Sequence, residues 1–215
     1  MIAQYGADSC RMYEMFMGPL DMSKPWNTQG LIGIFRFLEK IWGIAGKELT
    51  SCPVNDMSTP EHTEITKLLN KTIKKITEDT ASLNFNTAIS QMMIFINALG
   101  KYKSVPRFAW ETFIKLLAPY APHLAEELWE KLGHTETIAY AQWPMHIEKF
   151  CVDSECTIVV QINGKVRDKF QAVIDLPKNE LEALALKTDG AQRFLDGKQP
   201  KKVIVVQNKL INIVI

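Results

Sequence analysis

Between residues 28 and 133 apolar residues return at helical spacing in stretch after stretch. Past about residue 150 that period gives way to β-branched runs. This switch constrains the fold more than any other feature, because a 3.6-residue period and a two-residue period bury different surfaces. The first two-thirds therefore read as helices packed on helices, and the last third as a small sheet with helical cover.

The helical part divides at its own stop signals. A short helix is expected over 7–17, ended by Gly18-Pro19. A longer one follows Thr28, with Leu31, Ile34, Phe35, Leu38, Ile41 and Trp42 facing the core and Phe37 lying off that stripe. Residues 47–58 read as a polar connector. Thr59-Pro60-Glu61 then supplies an N-cap, a proline at the first helical position and an acid in the first turn. The helix it opens carries Ile65, Leu68, Leu69, Thr72, Ile73, Ile76 and Leu83 on one face and Lys67, Lys71, Lys74 and Lys75 on the other. Asn86 is expected to cap the next helix, with Ile89, Met92, Phe95, Ile96 and Leu99 inward and Gly100 just past its end. A fifth helix is expected from about Val105 to Ala118, and a sixth from Pro122 to Gly133. Short connections between helices of this length describe an antiparallel helical bundle over 1–146.

Residues 151–215 read as a small α+β domain of order ββαββ, joined through a linker near 144–152. Asn163-Gly164 marks the first hairpin, and Asn208-Lys209 the second. A two-residue loop would pair Ile162 with Lys165 and Val160 with Arg167, mixing greasy and charged groups on each face. An odd loop, with Gly164 in a bulge, segregates them instead. It sets Ile158, Val160, Ile162, Val166 and Phe170 against Thr157, Gln161, Lys165, Arg167, Lys169 and Gln171, with Val159 and Asp168 as misfits. The expected consequence is a solvent stripe of Lys165, Arg167 and Lys169, with Arg193, Lys198, Lys201 and Lys202 nearby in sequence.

Formal charge is only +1, so any nucleic-acid role must come from local patches such as this one. The other reading of the stripe is an ordinary solvated face. Cys10, Cys52, Cys151 and Cys156 form no CxxC pair, which suits a reducing, cytoplasmic setting. No apolar run reaches membrane-spanning length. The start, MIAQYGADSCR, has no signal-peptide core and already reads as a helix, so the chain is expected to be cut from a longer protein. His123, Glu126 and Glu127 have helical spacing for metal ligands, but no further ligand is evident and the acids suit a first helical turn. No cysteine is marked as a nucleophile. GLIGIF lacks the strand that a phosphate-binding glycine loop requires. Catalytic, cofactor and metal residues are therefore expected to be none.

A resemblance goes further than spacing. YGADSCRMYEMFMGPLDMSKPWN, residues 5–27, resembles the stretch just downstream of the Lys-Met-Ser-Lys-Ser loop of bacterial leucyl-tRNA synthetases. LNFNTAISQMMIFINAL (83–99) and LLAPYAPHLAEELWEKLG (116–133) look like the tRNA-binding bundle of class Ia synthetases. QINGKVRDK (161–169) and KVIVVQNKLINIVI (202–215) resemble that family's small C-terminal domain. The resemblance implies a class Ia anticodon-binding-domain-like bundle, and a parent that joins leucine to its tRNA with ATP and Mg²⁺. The parent's catalytic and editing domains would precede residue 1 and would be partners of this region in one chain. It implies that this segment holds the tRNA, the bundle lying along its body and the C-terminal domain touching the elbow. Met22-Ser23-Lys24 looks like the ATP loop but lacks its flanking Lys and Ser, having Asp21 and Pro25 there, so it is read as a connector. The rival reading is a helical-bundle protein-interaction module without RNA binding.

Overall fold

The computed structural model describes residues 1–53, 55–151, 155–195 and 200–215. The chain divides into two compact units, Met1–Cys151 and Val152–Ile215.

The first unit opens with α1 (Ile2–Tyr5) and α2 (Ala7–Phe16), followed after an irregular stretch by α3 (Thr28–Ala45). Asn27 starts α3 by accepting from the Gln29 amide at 2.9 Å. Strand β1 (Glu48–Thr50) leads to α4 (Pro60–Ala81), α5 (Phe85–Leu99) and β2 (Ser104–Pro106). Then come α6 (Arg107–Leu117), α7 (Pro122–Lys131), a 3-10 turn at Ile138–Tyr140 and α8 (Glu148–Cys151). Their apolar stripes share one core, in which Trp110, Tyr120, Phe95 and Phe113 are the largest fully buried side chains. The Phe95, Phe113 and Trp110 rings stack in series, with centroids 5.6 and 5.8 Å apart.

Thr59 caps α4 through His62 N at 3.1 Å, with Pro60 at the first position, as the sequence dictates. The α5 face is buried at all five expected positions. Several details differ. Residues 48–50 are a strand, paired in parallel with 104–106, so Val105 is a buried strand residue and α6 starts at Arg107. Proline at 106 has no N–H to extend the ladder and is tolerated at the strand's end. Asn84, not Asn86, precedes α5, and Gly100 ends it at φ −60, without a left-handed turn. Leu83 lies beyond α4 at φ 59 and is exposed. In α3 Phe37 is buried whereas Trp42 is 45% exposed. Leu31, Ile34, Leu38 and Ile41 are buried as expected, and Phe37 and Ile44 take the inward places expected of Phe35 and Trp42. Trp42 instead carries the Lys131 ammonium 4.9 Å from its ring centroid.

Polar anchors replace the expected linker up to Cys151. The Trp143 indole donates to Thr77 Oγ1 at 2.9 Å, and the Ile147 amide donates to Asn70 Oδ1 at 2.8 Å. Buried Asn70 is completed by bonds from its amide to Asn55 Oδ1 and Thr66 O. Asp8 of α2 reaches across to α7, accepting from Leu124 N at 2.8 Å. It thereby caps a helix whose own N-cap, Ala121, has no side chain for the task.

The second unit contains β3 (Glu155–Ile162), β4 (Lys165–Val173), α9 (Lys178–Lys187), α10 (Asp189–Leu195), β5 (Lys202–Val206) and β6 (Leu210–Val214). Its sheet order is β4-β3-β6-β5, with β3 and β6 parallel and both outer pairs antiparallel. Ile158, Val160, Ile162, Ile211 and Ile213 form the inner face, covered by Leu181, Ala185, Ala191 and Leu195 of the two helices.

Candidate nucleic-acid interface

The expected cationic stripe depends on the first hairpin, and the register there is not the expected one. Asn163 and Gly164 sit at φ 48 and 80, so the loop has two residues and Ile162 pairs directly with Lys165. This overturns the odd loop. The register shifts one step later: Gln161 pairs with Val166 and Val160 with Asp168, leaving Arg167 as the extra residue of a bulge. Like faces like only beyond it, Ile158 with Phe170 and Thr157 with Gln171.

That single shift sends the three cations in different directions, since cross-strand partners share a face. Lys169, opposite Val159, lies on the uncovered sheet face. Lys165, opposite buried Ile162, lies at the rim of the helix-covered face. Arg167 bends toward α10, with its guanidinium carbon 4.1 Å from the Phe194 ring centroid. Asp168, expected as a misfit, accepts from Gly190 N and Lys169 N, both at 2.8 Å. Those amide bonds, and the charge of Arg193, hold its carboxyl below the usual range.

Arg193 is exposed on α10. Lys201 and Lys202 are exposed at the start of β5, where Lys202 pairs with Val214 and Lys201 Nζ is 3.4 Å from Ile215 O. Because β4 and β5 are opposite edges, Lys202 stands three strand spacings from β4, about 14 Å. Arg167 and Arg193 therefore make one group beside α10, Lys201 and Lys202 a second, and Lys169 a third position on the open face. Lys198 lies outside the described residues.

The first unit adds a basic group that charge counting along the sequence missed. Lys47 Nζ donates to Gly100 O at 2.8 Å, Leu99 O at 3.4 Å and Tyr102 O, neutralising the carbonyl end of α5. Lys40 Nζ donates to Asn97 Oδ1 at 2.6 Å, and Lys101 and Lys103 are exposed on the following turn. The signal was the close spacing of Lys101 and Lys103, but nothing local to α3 announces that Lys40 and Lys47 would join them.

The remaining candidates separate. His123 bonds Asp8 Oδ1 at 2.7 Å, Glu126 accepts from Thr137 Oγ1 and Ile138 N, and Glu127 lies 3.6 Å from Lys131. They do not converge on a metal. Trp26 is edge-on to Tyr13, with centroids 4.9 Å apart, and the Tyr13 hydroxyl accepts from Asn27 N. The connector after α2 is thus fastened to that helix. All four cysteines are free thiols. Among the described residues, one cluster of three metal-capable side chains exists, Cys52, Asp56 and His62, which spacing did not single out. Burial, then the Asp56 charge, push its Cys52 thiol up. No helix of the described residues is long and apolar enough to cross a membrane.

The family described as the anticodon-binding domain of tRNA ligase matches residues 62–182. Leucine–tRNA ligase of Treponema pallidum subsp. pallidum is 52% identical over an alignment of 231 positions, which takes in 100% of this chain and 26% of that protein. The crystal structure of the ternary complex of Agrobacterium radiobacter K84 agnB2 LeuRS, tRNA and LeuAMS is similar over 99% of this chain and 29% of its own. The TM-score of that match is 0.76, at 26% identity. The chain spans about a quarter of the length of the Treponema ligase.

Proposed function

We propose a tRNA-holding role from a plain premise: this chain belongs to the anticodon-binding domain family of tRNA ligases. The carrying observation is the likeness, along nearly the whole chain, to a leucine enzyme solved with tRNA. On this reading the parent joins leucine to its tRNA in the cytoplasm, using ATP and Mg²⁺ bound by its catalytic portion. Residues 1–215 are assigned no contact with ATP, leucine or the metal. The helices of 1–146 act as an antiparallel bundle of the class Ia kind along the tRNA body. The ββαββ domain of 151–215 acts at the elbow.

The work done is positioning. Phosphate contacts carry little sequence information but fix orientation, so that the acceptor end reaches a distant active site. Such contacts ask for cations on rigid elements, without a large net charge. Lys165, Arg167, Lys169, Arg193, Lys198, Lys201 and Lys202 are the proposed contacts in the second unit. Arg167 has its guanidinium packed against the Phe194 ring, with 4.1 Å to the centroid. Lys101 and Lys103 are proposed as contacts of the first unit.

The test uses the full-length ligase carrying alanine at Lys165, Arg167 and Lys169 together. The expected result is weaker tRNA binding, with a salt slope reduced by about one for each phosphate that is no longer neutralised. Leucine-dependent ATP–pyrophosphate exchange should stay unchanged, because it needs no tRNA elbow. An unaltered salt slope would remove these residues from the interface.

A further inference from the structure

We propose that Cys52, Asp56 and His62 form a binding site for a divalent transition-metal cation, with zinc the natural fit. This does not depend on the tRNA reading. A Cys52 sulfur, an Asp56 carboxylate oxygen and a His62 ring nitrogen lie within 4.8 Å of one another, on side chains that are all half-buried. One thiolate, one imidazole and one carboxylate suit zinc; magnesium and calcium prefer oxygen alone.

Neighbouring residues that are not donors hold the site. Ser58 donates to both Asp56 carboxylate oxygens, from its amide and its hydroxyl, each at 2.9 Å. The Asp56 carbonyl accepts from Thr66 Oγ1 at 2.8 Å. Asn55, in the left-handed region at φ 58, accepts from the side chain of buried Asn70 at 3.1 Å. His62 is fixed in the first turn of α4, where its amide bonds the Thr59 cap. A hydrogen-bonded ligand carboxylate on a stiff frame is the outer arrangement that metal sites use to orient their donors.

His62 Nδ1 and Asp56 Oδ2 are 2.6 Å apart, a hydrogen-bond length. Around a tetrahedral zinc about 2.0 Å from each, the two atoms would stand about 3.3 Å apart. Opening that pair takes under an ångström, and the Cys52 sulfur, within 4.8 Å of both atoms, closes toward the roughly 3.5 Å that a shared tetrahedral zinc sets. On binding, the Cys52 thiol gives its proton to solvent, and the imidazole carries its proton on Nε2 with Nδ1 on the metal. A water fills the fourth position, and nothing is oxidised or reduced. Such an ion would fasten the segment between β1 and α4 to the first turn of α4. A simple helix-entry cap built from Asp56, Ser58 and His62 is the competing account, and it gives Cys52 no part.

Cobalt(II), the spectroscopic stand-in for zinc, separates the two. It is titrated into the reduced, metal-stripped 215-residue chain. The expected result is a thiolate-to-cobalt charge-transfer band and strong four-coordinate visible bands at one equivalent, both bleached by zinc. Cys52→Ser should abolish the charge-transfer band, whereas the same change at Cys10, Cys151 or Cys156 should leave it. His62→Gln should weaken cobalt binding by at least tenfold. Zinc should raise the thermal midpoint of the unaltered chain and not that of Cys52→Ser, whose fold is checked by circular dichroism. Absence of the charge-transfer band, or its persistence in Cys52→Ser, overturns the proposal.

Discussion

Tyr102 donates its hydroxyl proton to Glu64 Oε2 at 2.9 Å, between α4 and the turn after α5. Burial, then the Glu64 carboxylate, push its hydroxyl up to about 12. An unfolded tyrosine ionises near pH 10. Between about pH 10 and 12 the unfolded chain has lost a proton that the folded chain retains, so stability falls as pH rises through this window. Tyr102→Phe should therefore flatten the alkaline loss of stability, measured as denaturant midpoints across that range. Unchanged steepness would mean the pair does not hold in solution. Neither this pair nor the contact of Arg167 with Phe194 was legible in the sequence. Each joins residues far apart in the chain, and parity along a strand says nothing of a helix that docks later. Exposure of the hairpin's cations, by contrast, was legible. Their division among three directions turns on a bulge placed two residues beyond the turn.

At the scale of elements, periodicity was a good guide wherever one face alone is buried. The inward set of α5 and the Thr59-Pro60 start of α4 follow from it directly. It failed where an element is completed by a distant segment. β1 and β2 are each three residues long and exist only as a pair, so neither carries a period of its own. The cap of α7 comes from Asp8, more than a hundred residues away. Gly190 shows how closely such docking is fitted. A Cβ there would stand 2.7 Å from the Arg167 carbonyl oxygen and 2.8 Å from Asp168 Cβ. Alanine in a helix gains up to about 1 kcal/mol over glycine. Against backbone it cannot displace, overpacking costs about 1–3 kcal/mol, and the Gly190–Asp168 bond is put at risk. The cost should win. Gly190→Ala should lower the denaturant midpoint of the second unit, while a raised midpoint would show that α10 can recede freely.

For the whole molecule, two separate apolar clusters mean two stabilities. All five tryptophans, at 26, 42, 110, 129 and 143, lie in the first unit, so indole fluorescence reports that unit alone. The sheet of the second unit is followed by β-type circular dichroism. Ile211 is fully buried at the centre of that sheet, paired with Val160 on one side and Val205 on the other. Truncation of such a residue to alanine costs about 2–5 kcal/mol. In a unit this small, that is comparable to the entire folding free energy. Ile211→Ala should therefore unfold the second unit at ambient temperature or bring its midpoint far down, with the fluorescence midpoint unmoved. Phe113→Ala, in the other core, should do the reverse, destabilising the unit that fluorescence reports by about 3–5 kcal/mol. A fluorescence transition that shifts with Ile211→Ala would show that the two cores fold as one. If they are independent and the second unit holds tRNA as proposed, Ile211→Ala in the full-length parent should act like removal of that unit, weakening tRNA binding while the helical unit stays intact.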